Sequence, residues 1–117
     1  AMQSPAVPVD RWTAPTYADA LKDPLATDAN AVAKGARVFT SVCWTCHGIT
    51  GAGDGPNATA LKKHPADLRS TMFQAQSNGA LYWKITNGRG EMGAYEQILS
   101  REERWAVVHY LRTLANP

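Results

Sequence analysis

The sequence predicts an all-α fold, about three or four helices joined by long loops. Apolar residues recur at helical spacing near both ends of the 117-residue chain, and no stretch reads convincingly as a strand. The connections between these segments are longer than a domain of this size usually carries, unless something besides the chain organises them.

The first helix is expected in DANAVAKGARVFTSVC, residues 28–43. Val32, Gly35, Ala36, Phe39 and Val42-Cys43 form its apolar or small face, with Asp28 or Asn30 as N-cap. A glycine inside a helix costs about 1 kcal/mol against alanine. Gly35 therefore predicts another helix crossing closely there. A glycine-rich loop follows, GITGAGDGPNATALKKHP, in which ATALKK suits a short helix. NGALYWKITNG predicts a further helix, with Asn78 near its start, Leu81, Tyr82 and Ile85 on one side, and Gly88 just past its end. The last helix lies in LSREERWAVVHYLRTLANP. Ser100 and Glu103 give it a capping box, Trp105, Val108 and Leu111 an apolar face, with Val107 and Leu114 on a neighbouring stripe, and Arg112 suits its C-terminal dipole.

Residues 1–27 read as a proline-rich arm or linker, either partly wrapped on the domain through Trp12 and Tyr17 or a free tether, and residues 28–117 as the domain. A net charge of +2, with no basic run longer than Lys62-Lys63, argues against nucleic acid as a partner. No apolar stretch approaches the length of a membrane span, and no secretory signal is visible. Ala1-Met2 reads as a processing remnant, which leaves room for a signal or anchor upstream.

The two cysteines of the chain fall in CWTCHG, residues 43–48. A C-x-x-C pair serves a redox disulfide, half a zinc site, or a haem attachment point. A redox disulfide expects a thioredoxin-like context of strands, which is missing here. Zinc needs four ligands, and Cys43, Cys46, His47 and one of His64 or His109 fit the usual spacing poorly. C-x-x-C-H is the signature of covalent haem attachment. On a helix, Cys43, Cys46 and His47 stand at i, i+3 and i+4 and share one face. Two sulfurs can then bond one edge of a porphyrin while the imidazole lies under the iron. Such a group would also supply the core that the long loops lack.

A sixth ligand is sought among Met72, Met92, His64 and His109, Met2 lying in the terminal arm. Met92 sits in the glycine-flanked loop GRGEMGAY, poorly placed as core filler, and is the candidate taken, in keeping with Met/His ligation of c-type haems. Met72, beside Phe73, is expected to pack. His109 reads as a surface or satisfied core residue, and His64 as solvated.

Over residues 28–115 the chain resembles class I c-type cytochromes. The likeness is carried by Gly35 and Phe39, CWTCH at 43–47, GDGPN at 53–57, ITNGRGEM at 85–92 with Tyr95 after it, and ERWAVVHYLRTL at 103–114. GDG, PADL and G-x-x-x-M are similar to bacterial cytochrome c subunits of membrane respiratory complexes. The resemblance implies the class I fold around one haem c, bonded through Cys43 and Cys46 and ligated by His47 and Met92. It implies that Gly35 and Phe39 meet the last helix near Trp105, Tyr110 and Leu111. It also implies that the Pro56 carbonyl accepts a hydrogen bond from His47. Gly93 stands where the family usually has proline, which predicts a less rigid Met92 loop. The function implied is electron transfer between redox protein partners, as a free carrier or as part of a larger oxidoreductase, in the periplasm or on the outer face of a bacterial membrane. Phe39, Tyr82, Trp83 and Tyr95 are expected to line or border the haem pocket. Lys62, Lys63 and Arg69 form a solvated face or a weak docking patch. A peroxidase-like enzyme, a haem-based ligand sensor and a zinc module stand as alternatives; the first two need an open or displaceable sixth position.

Overall fold

A computed structural model describes residues 12–116. The proline-bearing residues 1–11 of the expected arm, with Met2, lie outside the described residues. The elements run α1 (Ala31–Val38), α2 (Trp44–His47), α3 (Thr71–Gln74), α4 (Asn78–Asn87) and α5 (Arg101–Arg112), with 3-10 turns at Thr16–Ala20 and Ala58–Ala60. Among the described residues there is no strand, only one isolated bridge between Arg89 and Met92. No helix is long and apolar enough to cross a membrane.

The crossing of α1 and α5 is the foundation. Gly35 lies directly on the Ala106 carbonyl, and Phe39, fully buried, meets the Tyr110 ring at 5.1 Å between centroids. Trp105, 1% exposed, stacks on Tyr82 of α4 at 4.1 Å, which joins the third large helix to the crossing. The face of α1 differs from the expectation. Ala31, Gly35, Val38 and Phe39 are buried, and Val32 is exposed. The close approach at Gly35 centres the contact between Ala31 and Val38, and this turns Val32 outward.

Helices α4 and α5 begin at side-chain caps. Ser77 accepts from the Ala80 amide at α4, and Ser100 and Glu103 complete the reciprocal capping box of α5. Asn30 occupies the N-cap of α1 without a side-chain bond, while the Asp28 carboxylate accepts from the Asn30 amide at 2.8 Å.

Buried Arg104 was not legible in the amphipathic pattern. Its guanidinium donates to the carbonyls of Glu96 (3.1 Å) and Leu99 (2.6 Å) and to the Tyr82 hydroxyl (2.9 Å). It therefore fastens the turn before α5 to α4. Arg112 does more than complement a dipole: its guanidinium donates to Asn78 Oδ1 at 2.7 Å and the Gln74 carbonyl at 2.8 Å, tying the end of α5 to α3 and α4.

Residues 16–25 pack on this frame. Ala18 is buried where a Cβ on Gly79 would overlap its carbonyl, and Leu25 joins Ala31, Trp105 and Ala106. The Trp83 indole donates to the Tyr17 hydroxyl at 2.9 Å, and His109 Nε2 pairs with Asp23 at 2.5 Å.

Candidate functional site

Helix α1 does not stop at Val38. It continues through a π turn, Phe39–Cys43, where the Trp44 amide reaches back to the Phe39 carbonyl, and then into α2. A π turn inserts an extra residue into the helical register and is frequent at functional sites. Here it rotates Cys43 and the residues after it relative to the α1 face that packs on α5. Cys43 itself keeps right-handed helical dihedrals, φ −105° and ψ −37°. Cys43, Cys46 and His47 therefore share one helical turn, at i, i+3 and i+4. Both cysteines are free thiols and half-buried.

The end of α2 is closed by the loop that follows. Gly48 (φ 84°) terminates the helix. The loop then doubles back so that the amides of Gly53, Gly55 and Asn57 donate to the carbonyls of His47 (2.7 Å), Cys46 (3.0 Å) and Thr45 (2.8 Å). These are carbonyls that a helix end leaves without partners. Alternate residues face the helix, so Pro56, which has no N–H, falls at a position where none is needed. Gly55 is required by closeness: a Cβ there would stand 2.5 Å from the Trp44 carbonyl oxygen.

Pro56, expected to accept from His47, lies on this path. The hydrogen-bond partner of His47 Nδ1 is the Ala66 carbonyl, at 3.4 Å, and Pro56 is an exposed residue of the capping loop. The reason is the chain's second return. The Leu68 amide donates to the Gly51 carbonyl at 2.7 Å, and buried Leu68 packs in the main core. That anchor brings Ala66 to the imidazole. Asp67 is turned away to its own guanidinium partner, Arg69, at 3.0 Å.

The surroundings act on the titrating groups. Burial pushes the Cys43 thiol up to about 12, with the neighbouring Cys46 adding to it. Burial lowers the His47 pKa and so favours the neutral ring, while the Ala66 hydrogen bond acts in the opposite direction. With Nδ1 directed at a carbonyl, Nε2 is the nitrogen left to accept a metal, the usual division of labour in a ligating histidine.

Met92 is half-buried and packs against the core cluster that also receives Cys43, Trp44, Phe73 and Tyr95. Its loop is a tight turn. Arg89 and Met92 exchange both backbone hydrogen bonds, at 2.9 and 3.1 Å, with Gly90 (φ 59°) at the first central position. The Lys62 amide donates to the Glu91 carboxylate at 2.7 Å, and the amides of Tyr95 and Glu96 return to the carbonyls of Ile85 (3.0 Å) and Thr86 (3.2 Å) of α4. The loop with Gly93 in place of proline is thus held by paired hydrogen bonds at both ends.

The other candidates lie elsewhere. Met72 is exposed, against expectation, because Ser70 caps α3 and it is Phe73, one residue on, that turns onto the core. His64 Nδ1 lies 2.8 Å from the Pro65 carbonyl, and His109 is engaged by Asp23. Among the described residues no group of three or more His, Cys, Asp or Glu is placed to hold a metal ion, so the zinc alternative finds no ligand set. Of the expected pocket aromatics, Tyr95 borders the cysteines: its hydroxyl lies 3.5 Å from the Val42 carbonyl, and its pKa is raised by burial and by Cys43 and Cys46. Phe39 and Tyr82 serve the helix crossings, and Trp83 bonds to Tyr17. Two free thiols and a carbonyl-oriented imidazole on one turn are the donor set that a covalently attached haem requires. The residues present fit that group.

Comparison with known proteins agrees. The family model described as Cytochrome c matches residues 32–115. Cytochrome c6 of Euglena gracilis is 32% identical over 85 residues, covering 69% of this chain and 90% of that protein. Among solved structures, a chain of the Kuenenia stuttgartiensis reducing HAO-like protein complex superposes with a TM-score of 0.72 at 29% identity, over 80% of this chain and 47% of that one. The present chain thus spans about half of that neighbour. Cytochrome c6C from Synechococcus sp. PCC 7002 superposes with a TM-score of 0.57 at 27% identity, over 70% of this chain and 94% of that one.

Proposed function

The chain belongs to the cytochrome c family, a monohaem c-type cytochrome of haem-based electron transfer, and on that premise we propose that Cys43 and Cys46 carry the haem while His47 and Met92 are its axial ligands. The observation that carries this reading is the single helical turn holding both thiols and an imidazole whose Nδ1 is directed at the Ala66 carbonyl. When bound, haem c supplies one-electron exchange between ferrous and ferric iron.

The chain's own part is to hold and to exclude. The two thioethers fix the ring to α2. The Ala66 carbonyl sets the tautomer and orientation of His47 and raises its basicity. Burial keeps that imidazole neutral and so able to ligate at neutral pH. The closed Arg89–Met92 turn restrains the methionine that would hold the iron, and a restrained ligand would keep reorganisation on electron transfer small. A thioether ligand and apolar surroundings favour the less charged ferrous state and raise the potential. The peroxidase and sensor readings need an open sixth position, and the doubly bonded Met92 turn gives them no support.

The protein exchanges electrons with redox protein partners, as a free carrier or as the haem subunit of a larger oxidoreductase. The likeness to a chain of a multi-protein complex supports the second arrangement. Haem attachment in this family supports a location in the periplasm or on the extracytoplasmic face of a bacterial membrane, with residues 1–27 as an arm or tether. The test has two parts. A pyridine haemochrome spectrum is expected to report one haem per chain with both vinyl positions saturated. The ferric protein is expected to show the weak methionine-to-iron charge-transfer band, and Met92→Ala is expected to abolish it. An unchanged band in Met92→Ala would overturn the ligand assignment.

A further inference from the structure

We propose that Gln74 is a positioning residue for His47, its carboxamide holding the segment that offers the Ala66 carbonyl to the imidazole; the inference rests on His47 being an axial ligand of the haem. The Ala66 carbonyl lies 3.4 Å from His47 Nδ1, and Ala66 itself is exposed. Its place is therefore set by what holds the residues on either side of it.

On one side, Pro65 lies against Gly53, where a Cβ would stand 2.6 Å from the Pro65 carbonyl oxygen. On the other, Leu68 is fastened by both of its backbone groups. Its amide donates to the Gly51 carbonyl at 2.7 Å, and its carbonyl accepts from Gln74 Nε2 at 2.8 Å. The Asp67 and Arg69 side chains pair with each other, which shapes the segment without tying it to another element.

The Gln74 carboxamide is oriented by its own partners. Nε2 also donates to the Leu111 carbonyl of α5 at 2.9 Å, and Oε1 accepts from Arg112 Nη1 at 3.2 Å. Two carbonyls need the amino group and a guanidinium needs the oxygen, so one orientation of the amide satisfies all three. The Gln74 backbone carbonyl accepts from the same Arg112 Nη1 at 2.8 Å, and Ser70 caps the turn that carries it. Gln74 thus bridges the end of α5 to the strand of chain that faces His47. A buried carbonyl that loses its donor is drawn toward water. Leu68 would move with it, and the Ala66 carbonyl, two residues back, would leave the ring. A histidine that donates to a carbonyl is the more basic ligand, and it favours ferric iron. Weakening that bond raises the potential.

The test uses the haem-loaded protein. Gln74→Met keeps the length and neutrality of the side chain and removes both donations. At a fixed ambient potential its ferrous-to-ferric ratio is expected to rise about threefold, and the His47 Nδ1 proton of the ferrous protein to exchange with solvent about fivefold faster. Asn78→Ala cuts the 2.7 Å bond from Arg112 Nε to α4 and leaves Leu68 untouched, so both readouts are expected to stay at wild type. Should Gln74→Met fail to take up haem, Gln74→Ala carries the same expectations. The proposal is overturned if either readout of the Gln74 variant stays at its wild-type value, or if Asn78→Ala shifts both as far. The wild-type spectrum separates the two levels, because a low-spin ferrous haem shifts the ring protons of its axial histidine far upfield. If His47 lacks that shift, the ligand assignment falls and takes this inference with it; if the shift is present and the Gln74 variant is silent, the positioning role alone fails.

Discussion

Gly35 of α1 rests on the Ala106 carbonyl of α5 so closely that an ideal Cβ on the glycine would overlap that oxygen and stand 2.8 Å from Cβ of Tyr110. The two helices touch backbone to backbone, and everything beyond Phe39, including the π turn and the cysteines, is aimed by that contact.

Gly35→Ala is therefore expected to destabilise the protein. Alanine gains about 1 kcal/mol of helix propensity, but overpacking a well-packed contact costs about 1–3 kcal/mol and more where backbone must move. Here the obstacle is a carbonyl that cannot rotate away. A net loss of about 2 kcal/mol is expected in denaturant unfolding of the haem-loaded protein, and a variant as stable as wild type would mean that the helices separate freely.

Pro56 and Leu68 should part company. The His47 ring bonds to Ala66, and Leu68 holds the segment in place. Pro56→Ala is expected to leave the reduction potential and spectrum unchanged, with at most about 1 kcal/mol of stability lost through a looser unfolded chain. Leu68→Ala removes a buried side chain, costs about 2–4 kcal/mol, and is expected to shift the potential by disturbing the His47 orientation. A potential that moves with Pro56 and not with Leu68 would reverse the assignment of the carbonyl.

Arg104→Ala would leave the Glu96 and Leu99 carbonyls and the Tyr82 hydroxyl short of a donor. An unsatisfied buried polar group costs about 1–3 kcal/mol, and the acceptors that Arg104 serves are two carbonyls and a hydroxyl. A loss of about 3 kcal/mol is expected in chemical denaturation. Lysine, with a point charge and no planar fork, is expected to recover little of it.

Asp67 gives an acid-side prediction. The Arg69 guanidinium, helped by the Arg69 amide, holds its carboxyl below the ordinary 3.8. A carboxylate depressed in the folded state stabilises the fold above its unfolded pKa and loses that effect as pH falls through the folded value. Asp67→Asn is thus expected to be less stable than wild type near neutrality, the gap closing as pH drops below about 4. The group is exposed, so the effect is small. A gap that widens toward low pH would contradict the assigned direction.

What the sequence determined by itself was whatever depends on neighbours along the chain. The capping box at Ser100 and Glu103, the helical spacing of α4 and α5, and the placing of Cys43, Cys46 and His47 on one turn all follow from offsets of three and four residues, and helical geometry is the same in any fold. Gly35 could be read as a crossing point because a helix interior tolerates glycine only for a reason. The tertiary structure decided what depends on where distant segments meet. Which carbonyl faces His47 is a matter of a contact 19 positions along the chain and the anchor at Leu68, and no local rule distinguishes Ala66 from Pro56. The burial of Arg104 needed three acceptors from two other segments to converge on it. Trp12 found Lys84 and Arg89 only because the chain before α1 lies down along α4. Short-range geometry is set by bond angles and steric limits, and long-range partners by the packing that buries the most apolar surface while leaving the fewest polar groups unpaired.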